Sequence, residues 1–315
     1  MRAYVATLLA MTIGFAMPAS PQTARDARLD TAWLDRAWDF DRPAESEARF
    51  RAELAVMPRG SAASHELTTQ LARAQGLQRE FDAAHATLDA VEKALAGQPE
   101  RVAIRYLLER GRVFNSSRQP QKAVPLFEDA LTLARTAGED FLAIDAAHML
   151  GIAAPAEQRL QWNLQAVAMT EKTGDVRSRR WLASLYNNIG WTYHERGDYA
   201  SALAYFEKAV PAWEARGEPQ SVRIARWSVA RAYRSLGRYD EALAIQRQLA
   251  LEGATTNAPD GYVYEELGEL LLAKGEPAAA RPNFARAFEL LGGDAGLKAN
   301  EPERLERLRR LGGNE

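Results

Sequence analysis

Between Ser61 and Leu291 the chain restates one pattern several times, and this recurrence restricts it more than any other property of the sequence. The clearest unit runs Tyr186-Asn187-Asn188-Ile189-Gly190-Trp191-Thr192-Tyr193, then Gly197-Asp198-Tyr199, then Ala202, Phe206 and Ala209. The next reads Val229-Ala230, Tyr233, Gly237, Tyr239, Ala242 and Leu249, and the one after it Leu267-Gly268, Leu271, Gly275, Ala280, Phe284 and Ala287. Upstream, Gly111, Phe114, Ala123, Phe127 and Ala130 fit the same template, and so, more loosely, do Leu71-Ala72, Phe81, Ala84, Leu88 and Val91. Matched alanines lie about 38 to 40 residues apart, a period that belongs to stacked structural units.

Each unit carries two apolar stripes at helical spacing, such as Ile189 and Tyr193, then Ala202, Phe206 and Ala209. Small residues (Gly190, Ala202, Ala209) stand where two helices must approach closely, with aromatics filling the space beside them. Gly197 is placed to end the first helix and Asp198 to cap the second. Pro125 and Pro282 fall early in second helices, where a missing amide costs least. One helix pair cannot bury both stripes, so neighbouring pairs must stack. The expected fold is all-α, a right-handed α-solenoid of stacked antiparallel helix pairs.

These motifs resemble the tetratricopeptide repeat family, whose pattern is a Trp-like residue, Leu-Gly, Tyr, then Ala, Phe and Ala. The resemblance covers about three quarters of the chain. The period exceeds the family's usual length of about 34, which implies helices roughly one turn longer, similar to kinesin-light-chain-like and regulator-type arrays. The stretch from Ala137 to Gly174 departs most from the pattern: Leu150-Gly151 is kept, but Ala153-Ala154-Pro155 replaces the usual loop and shortens the turn.

Four regions follow. Residues 1–20 read as a secretory signal peptide: Arg2, an apolar run from Ala3 to Met17, then Pro18-Ala19-Ser20. The run is too short for a membrane span, so the mature protein is expected to lack its first 16 to 24 residues or so, to be exported to the periplasm or outside the cell, and to keep no stable span. Residues 21–60 read as an N-terminal helical cap, with Leu29, Trp33, Leu34, Ala37 and Trp38 on one face. Residues 61–291 hold the array, about six helix pairs. Residues 292–315 form a C-terminal capping helix, where Leu305, Leu308 and Leu311 share a face and Glu303/Arg307 and Glu306/Arg310 are spaced for ion pairs.

Chemistry is sparse. With no cysteine, thiolate metal sites, disulfides, Cys nucleophiles and lipid attachment at the signal are all excluded. His194-Glu195 begins like a zinc-protease motif, but Asp198 stands where the second His is required. No phosphate-binding glycine loop, nucleophile elbow or kinase signature occurs. The reading is of a protein that is not an enzyme and needs no cofactor or metal. A net charge of −2 provides no field to draw in nucleic acid, and Arg177-Ser178-Arg179-Arg180 is too short a basic run to do so.

What remains is recognition. In the family the first helix of each repeat lines the concave groove, which implies groove positions for Arg105, Arg112, Asn115, His148, Asn187, Trp191, His194, Trp227, Arg231, Arg234, Glu265 and Glu269. Guanidinium groups beside Asn and Trp suit carboxylates or an extended backbone. Trp191 and Trp227 are the expected contact hot spots, whereas Trp33, Trp38, Trp162, Trp181 and Trp213 are expected to pack. Arg231 and Arg234 are expected to be solvated in the free protein. The family's chaperone-type carboxylate clamp is not matched, because Ile224 and Ser228 hold its basic positions. The resulting expectation is an exported adaptor that binds a protein or extended peptide in its groove. A ligand- or peptide-responsive sensor array and a structural component of a cell-envelope complex are the alternatives.

Overall fold

A computed structural model describes residues 28–313. The proposed signal segment, residues 1–20, lies outside them. The described residues are all-α, a helical solenoid built from sixteen α-helices and one 3-10 turn, Val176–Arg180. They divide between Gln119 and Pro120 into two compact units.

Unit 1 contains α1 (Thr31–Ala37), α2 (Pro43–Val56), α3 (Ala62–Leu77), α4 (Phe81–Glu92) and α5 (Glu100–Ser116). Phe50 of α2 is fully buried among Leu29, Leu34, Leu67 and Ala74. Trp33 and Trp38 lean on it at centroid distances of 6.3 and 4.9 Å, so both tryptophans pack as expected. A second cluster forms around Leu88, Val91, Val102 and Val113.

Unit 2 contains α6 (Pro120–Thr136), α7 (Asp140–Ala153), α8 (Ala156–Lys172), α9 (Trp181–Glu195), α10 (Tyr199–Glu214), α11 (Pro219–Ser235) and α12 (Tyr239–Thr255). It continues with α13 (Gly261–Ala273), α14 (Pro277–Leu291), the short α15 (Ala295–Asn300) and α16 (Pro302–Gly312). Helices α9 to α12 run for 15, 16, 17 and 17 residues. Pro125, Pro211 and Pro282 sit inside α6, α10 and α14 and not in their first turns, so each forfeits an internal hydrogen bond.

The repeat unit folds for local reasons. At the end of α9, Gly197 adopts φ +78°, and the Asp198 amide donates to the Tyr193 carbonyl, closing the helix in three residues. The Asp198 carboxylate then accepts from the Ser201 amide at 3.1 Å and starts α10. Arg79 fills the equivalent left-handed position in unit 1 with φ +66°, a conformation that glycine adopts at lower cost. Between α7 and α8 the chain turns in only two residues, Ala154 and Pro155.

Gly190 lets α9 approach α10 closely: a Cβ there would lie 2.5 Å from the ring of Phe206, which is fully buried. Gly268 and Phe284 repeat the arrangement in α13 and α14, at 2.7 Å. Burying one such ring contributes about 2–3 kcal/mol, so the small-against-aromatic pairing that marks the sequence is also what joins the two helices of a repeat. In α12 the Phe position is occupied by Gln246, fully buried with neither amide atom hydrogen-bonded.

Candidate functional site

The charged side chains singled out from the sequence are mostly held by the neighbouring repeat. In unit 1, Arg105 on α5 is buried, and its Nε donates to Glu66 Oε2 of α3 at 2.9 Å, while Arg101 Nε takes the other oxygen at 2.7 Å. Arg112 Nη1 donates to Glu109 Oε1 at 2.8 Å, an oxygen that also accepts from Gln70 of α3. Asn115 lies half-buried near the end of α5.

Unit 2 repeats the device. Arg234 on α11 grips Glu266 of α13, Nε to Oε1 at 2.5 Å and Nη2 to Oε2 at 3.1 Å, and Glu266 is only 3% exposed. Arg231 Nε stands 4.0 Å from the same carboxylate. The expectation of two solvated arginines therefore fails: a buried carboxylate on the next first helix draws them in, because an unpaired one would be costly there. Burial and the adjacent Arg234 charge lower the Arg231 pKa from its ordinary value.

His194 on α9 completes this group. Its Nε2 lies 2.9 Å from Ser235 Oγ, which donates to the Arg231 carbonyl and accepts from Arg231 Nη1, both at 3.2 Å. That hydroxyl has an acceptor site left for a neutral His194 carrying its proton on Nε2. Burial, then the charges of Arg231 and Arg234, lower the His194 pKa. Upstream, His148 leans on Trp181 at 4.9 Å, and Asn187 is half-buried on α9.

At the far end, Glu265 and Glu269 face α16. Arg304 binds Glu265 through Nε at 3.0 and 3.1 Å and Nη2 at 2.6 Å, and Arg307 binds Glu269. The spacing with Glu303 is thus unused by Arg307, and Glu306 pairs with Arg309 at 2.9 Å instead of Arg310. Helix α16 lies against the last repeat with Leu305 and Leu308 buried, and its arginines face the Glu265/Glu269 side of α13.

What these ion pairs leave open is a cleft of about 400 Å³ in unit 2. Its apolar wall comes from Trp191 of α9, Ile224 and Trp227 of α11, Leu249 of α12, and Tyr262 and Val263 of α13. Ile224 is 50% exposed and Tyr262 37% exposed, high values for apolar side chains facing one hollow. Trp191 and Trp227 stand 6.1 Å apart at 34°, and Trp191 is wedged edge-on against Phe206 at 5.1 Å. Trp227 Nε1 donates to the Tyr262 carbonyl at 3.2 Å, and the Arg304 guanidinium covers the Tyr262 ring at 5.0 Å. Both ring planes are therefore held before any ligand arrives. Arg223, Asp260 and Arg304 are the charged groups on its wall.

Of the sequence-selected residues, the cleft brings together Trp191 and Trp227. Arg231, Arg234 and His194 form the adjoining polar network, Glu265 anchors Arg304, and Arg105, Arg112 and Asn115 belong to unit 1. Arg223, Tyr262 and Arg304 also line the cleft and are not among the sequence-selected residues. A signal for Tyr262 existed: it follows Trp227 by 35 residues, as Trp227 follows Trp191 by 36. Arg223 is one turn before Trp227 on the same helix face.

Among the described residues, no group of three His, Asp or Glu is placed to hold a metal, and no helix is long and apolar enough to cross a membrane. Residues 181–254, which form α9 to α12, match the tetratricopeptide repeat family model. No curated protein matches the chain. Among solved structures, the apo form of RapI is similar with a TM-score of 0.67 at 10% identity, over 90% of this chain and 79% of that one. BtubC (BKLC) from P. vanneervenii is similar with a TM-score of 0.56 at 17% identity, over 73% and 94%. NprR in complex with its cognate peptide NprX is similar with a TM-score of 0.53 at 14% identity, over 93% and 83%. At these identities the likeness is one of fold.

Proposed function

We propose that this chain is a protein-interaction scaffold that takes up an extended segment of a partner protein on the first-helix face of unit 2, anchored in the cleft between Trp191, Trp227 and Tyr262. The observation that carries the reading is that cleft: three aromatic rings from consecutive first helices and an exposed Ile224, around a hollow large enough for one or two side chains. Pre-oriented aromatic side chains lose little conformational entropy on binding, and interface hot spots are rich in them. NprR, a protein of similar fold, is seen with a bound peptide, which supports a peptide ligand here. Arg105, Arg231 and Arg234 act in this reading as staples between repeats, and Arg112 steadies the Glu109 carboxylate that Gln70 of α3 reaches, which together hold the face in shape.

Export is part of the proposal. Its support is the basic start and apolar run of residues 2–17, and intact-mass measurement on protein from the native host should find about the first 16 to 24 residues removed. Binding is tested by placing a photo-crosslinking amino acid at Ile224 or Tyr262, with Arg247 as the outer-face control, and irradiating in the native host. A discrete product at 224 and 262 but not at 247 is expected; the same products at all three positions would place recognition elsewhere.

A further inference from the structure

We infer that the bound segment carries a carboxylate side chain close to its anchoring apolar side chain, and that Arg223 receives it. This rests on the reading of the cleft given above and names the chemistry of its ligand.

Nearly all of the charges around the hollow are already satisfied. Glu252 accepts from Arg226 at 2.9 and 3.1 Å and from Gln248 at 3.0 Å. Glu265 and Glu301 both bind Arg304. The Asp260 carboxylate accepts from the Tyr262 amide at 2.9 Å and caps α13. Arg231 and Arg234 share Glu266. Among the described residues, Arg223 is the one charged side chain of the cleft wall with neither a salt bridge nor a hydrogen bond.

Its position is nonetheless defined. A Cβ added to Gly253 would lie 3.1 Å from Arg223 Nη2 and 3.1 Å from the Ala258 carbonyl oxygen. The guanidinium therefore lies against the last turn of α12, at a residue that carries no side chain. Five N–H donors with no protein acceptor thus border a wall of tryptophan, isoleucine and leucine. A charged acceptor arriving there forms bonds about twice as strong as a neutral one, and the apolar surroundings strengthen them further. Glu252 lies within electrostatic reach of Arg223 without hydrogen-bonding it, and Arg304 is already offset by Glu265 and Glu301.

The experiment uses the full chain with 15N-labelled tryptophan and a set of nine-residue peptides, acetylated and amidated at their ends. In each peptide Leu, Phe or Trp is followed, one to three residues later, by Glu or by Gln. The indole Nε1–H resonances of Trp191 and Trp227, identified through Trp191→Phe and Trp227→Phe, report occupancy of the cleft. A Glu peptide should bind at least tenfold more tightly than its Gln twin, and Arg223→Gln should erase that preference without shifting the thermal midpoint. Arg247→Gln on the outer face should leave it intact. Equal affinity of the twins, or a preference that survives Arg223→Gln, overturns the assignment of Arg223 while leaving the cleft as a binding site. Failure of every peptide to move either indole resonance removes the cleft reading and this inference with it.

Discussion

Arg234 and Glu266 lie 32 residues apart in sequence yet meet through two hydrogen bonds, so that the first helices of consecutive repeats are joined by a buried carboxylate. This pairing changes what charge reversal would do. Arg234→Glu leaves Glu266, 3% exposed, facing a like charge in place of its partner. Removing one member of a buried pair typically costs about 3–5 kcal/mol; with Arg234 partly solvated, a loss of about 3 kcal/mol is expected. The paired replacement Arg234→Met with Glu266→Leu should recover part of it, because an apolar pair avoids the desolvation of both charges while Arg231 loses the same carboxylate. Urea denaturation of the three proteins checks the order, and a double variant no more stable than Arg234→Glu would contradict it.

The contact between Gly190 and Phe206 predicts a second stability ranking. Gly190→Ala puts a methyl group 2.5 Å from a ring that has no space to move into, and a loss of about 1–3 kcal/mol is expected. Combining it with Phe206→Leu should recover part of that loss. Gly197→Ala meets no atom within 4 Å, so its loss of about 1 kcal/mol comes from the φ of +78° alone and no Phe206 substitution should relieve it. Thermal midpoints of the four variants separate the two mechanisms.

Gln246 marks a site where the chain can be improved. It holds the place of Phe206 and Phe284 in its repeat, is fully shielded, and leaves both amide atoms without a hydrogen bond. Each buried polar atom without a partner costs about 1–3 kcal/mol. Gln246→Leu should therefore raise stability by roughly 1 kcal/mol or more. Gln246→Phe should do so only together with Ala230→Gly, which restores the small residue that faces the ring in the neighbouring repeats. A lower urea midpoint for Gln246→Leu would mean that the amide is satisfied in solution.

These relationships differ in how far the sequence discloses them. The helix pairs were legible because Gly190, Ala202, Phe206 and Ala209 encode a local geometry: small residues where backbones touch, an aromatic where they part. The faces of the arginines were legible for the same reason, since a helix repeats every 3.6 residues. Their partners were not. Arg105 finds Glu66 at a separation of 39 residues and Arg234 finds Glu266 at 32, and both distances depend on how one repeat settles on the next. The cleft was half visible for a related reason. Trp191 and Trp227 stand out as rare residues at one repeat's spacing, whereas Tyr262 precedes the Leu267-Gly268 landmark of its unit, and Arg304 arrives from a helix outside the repeats.

The last prediction concerns pH and the His194 network. The ring of His194 leans on Trp191 at 5.3 Å and on Tyr199 at 5.0 Å, meets the Ser235 hydroxyl, and faces Arg231 and Arg234, with Glu266 beyond them. Partial burial comes first and the two guanidinium charges second in lowering its pKa below the ordinary 6.5. The sign follows from proton counting. Below about pH 6.5 the unfolded chain binds a proton at this histidine more readily than the folded chain, so acid favours unfolding and stability rises with pH through that window. The ring is only partly buried, so solvent screens the effect, and a loss of about 0.5 kcal/mol or less is expected between pH 7 and pH 5. His65, whose pKa burial also lowers, contributes with the same sign. The diagnostic is therefore a difference: His194→Asn should flatten the stability profile relative to the parent between pH 7 and pH 5, and His65→Asn should flatten it independently. Urea midpoints at half-unit steps give the slopes. A profile that stays equally steep after His194→Asn would show that the histidine is as easily protonated in the folded protein as in the unfolded chain, and that burial and the two arginines do not hold it neutral.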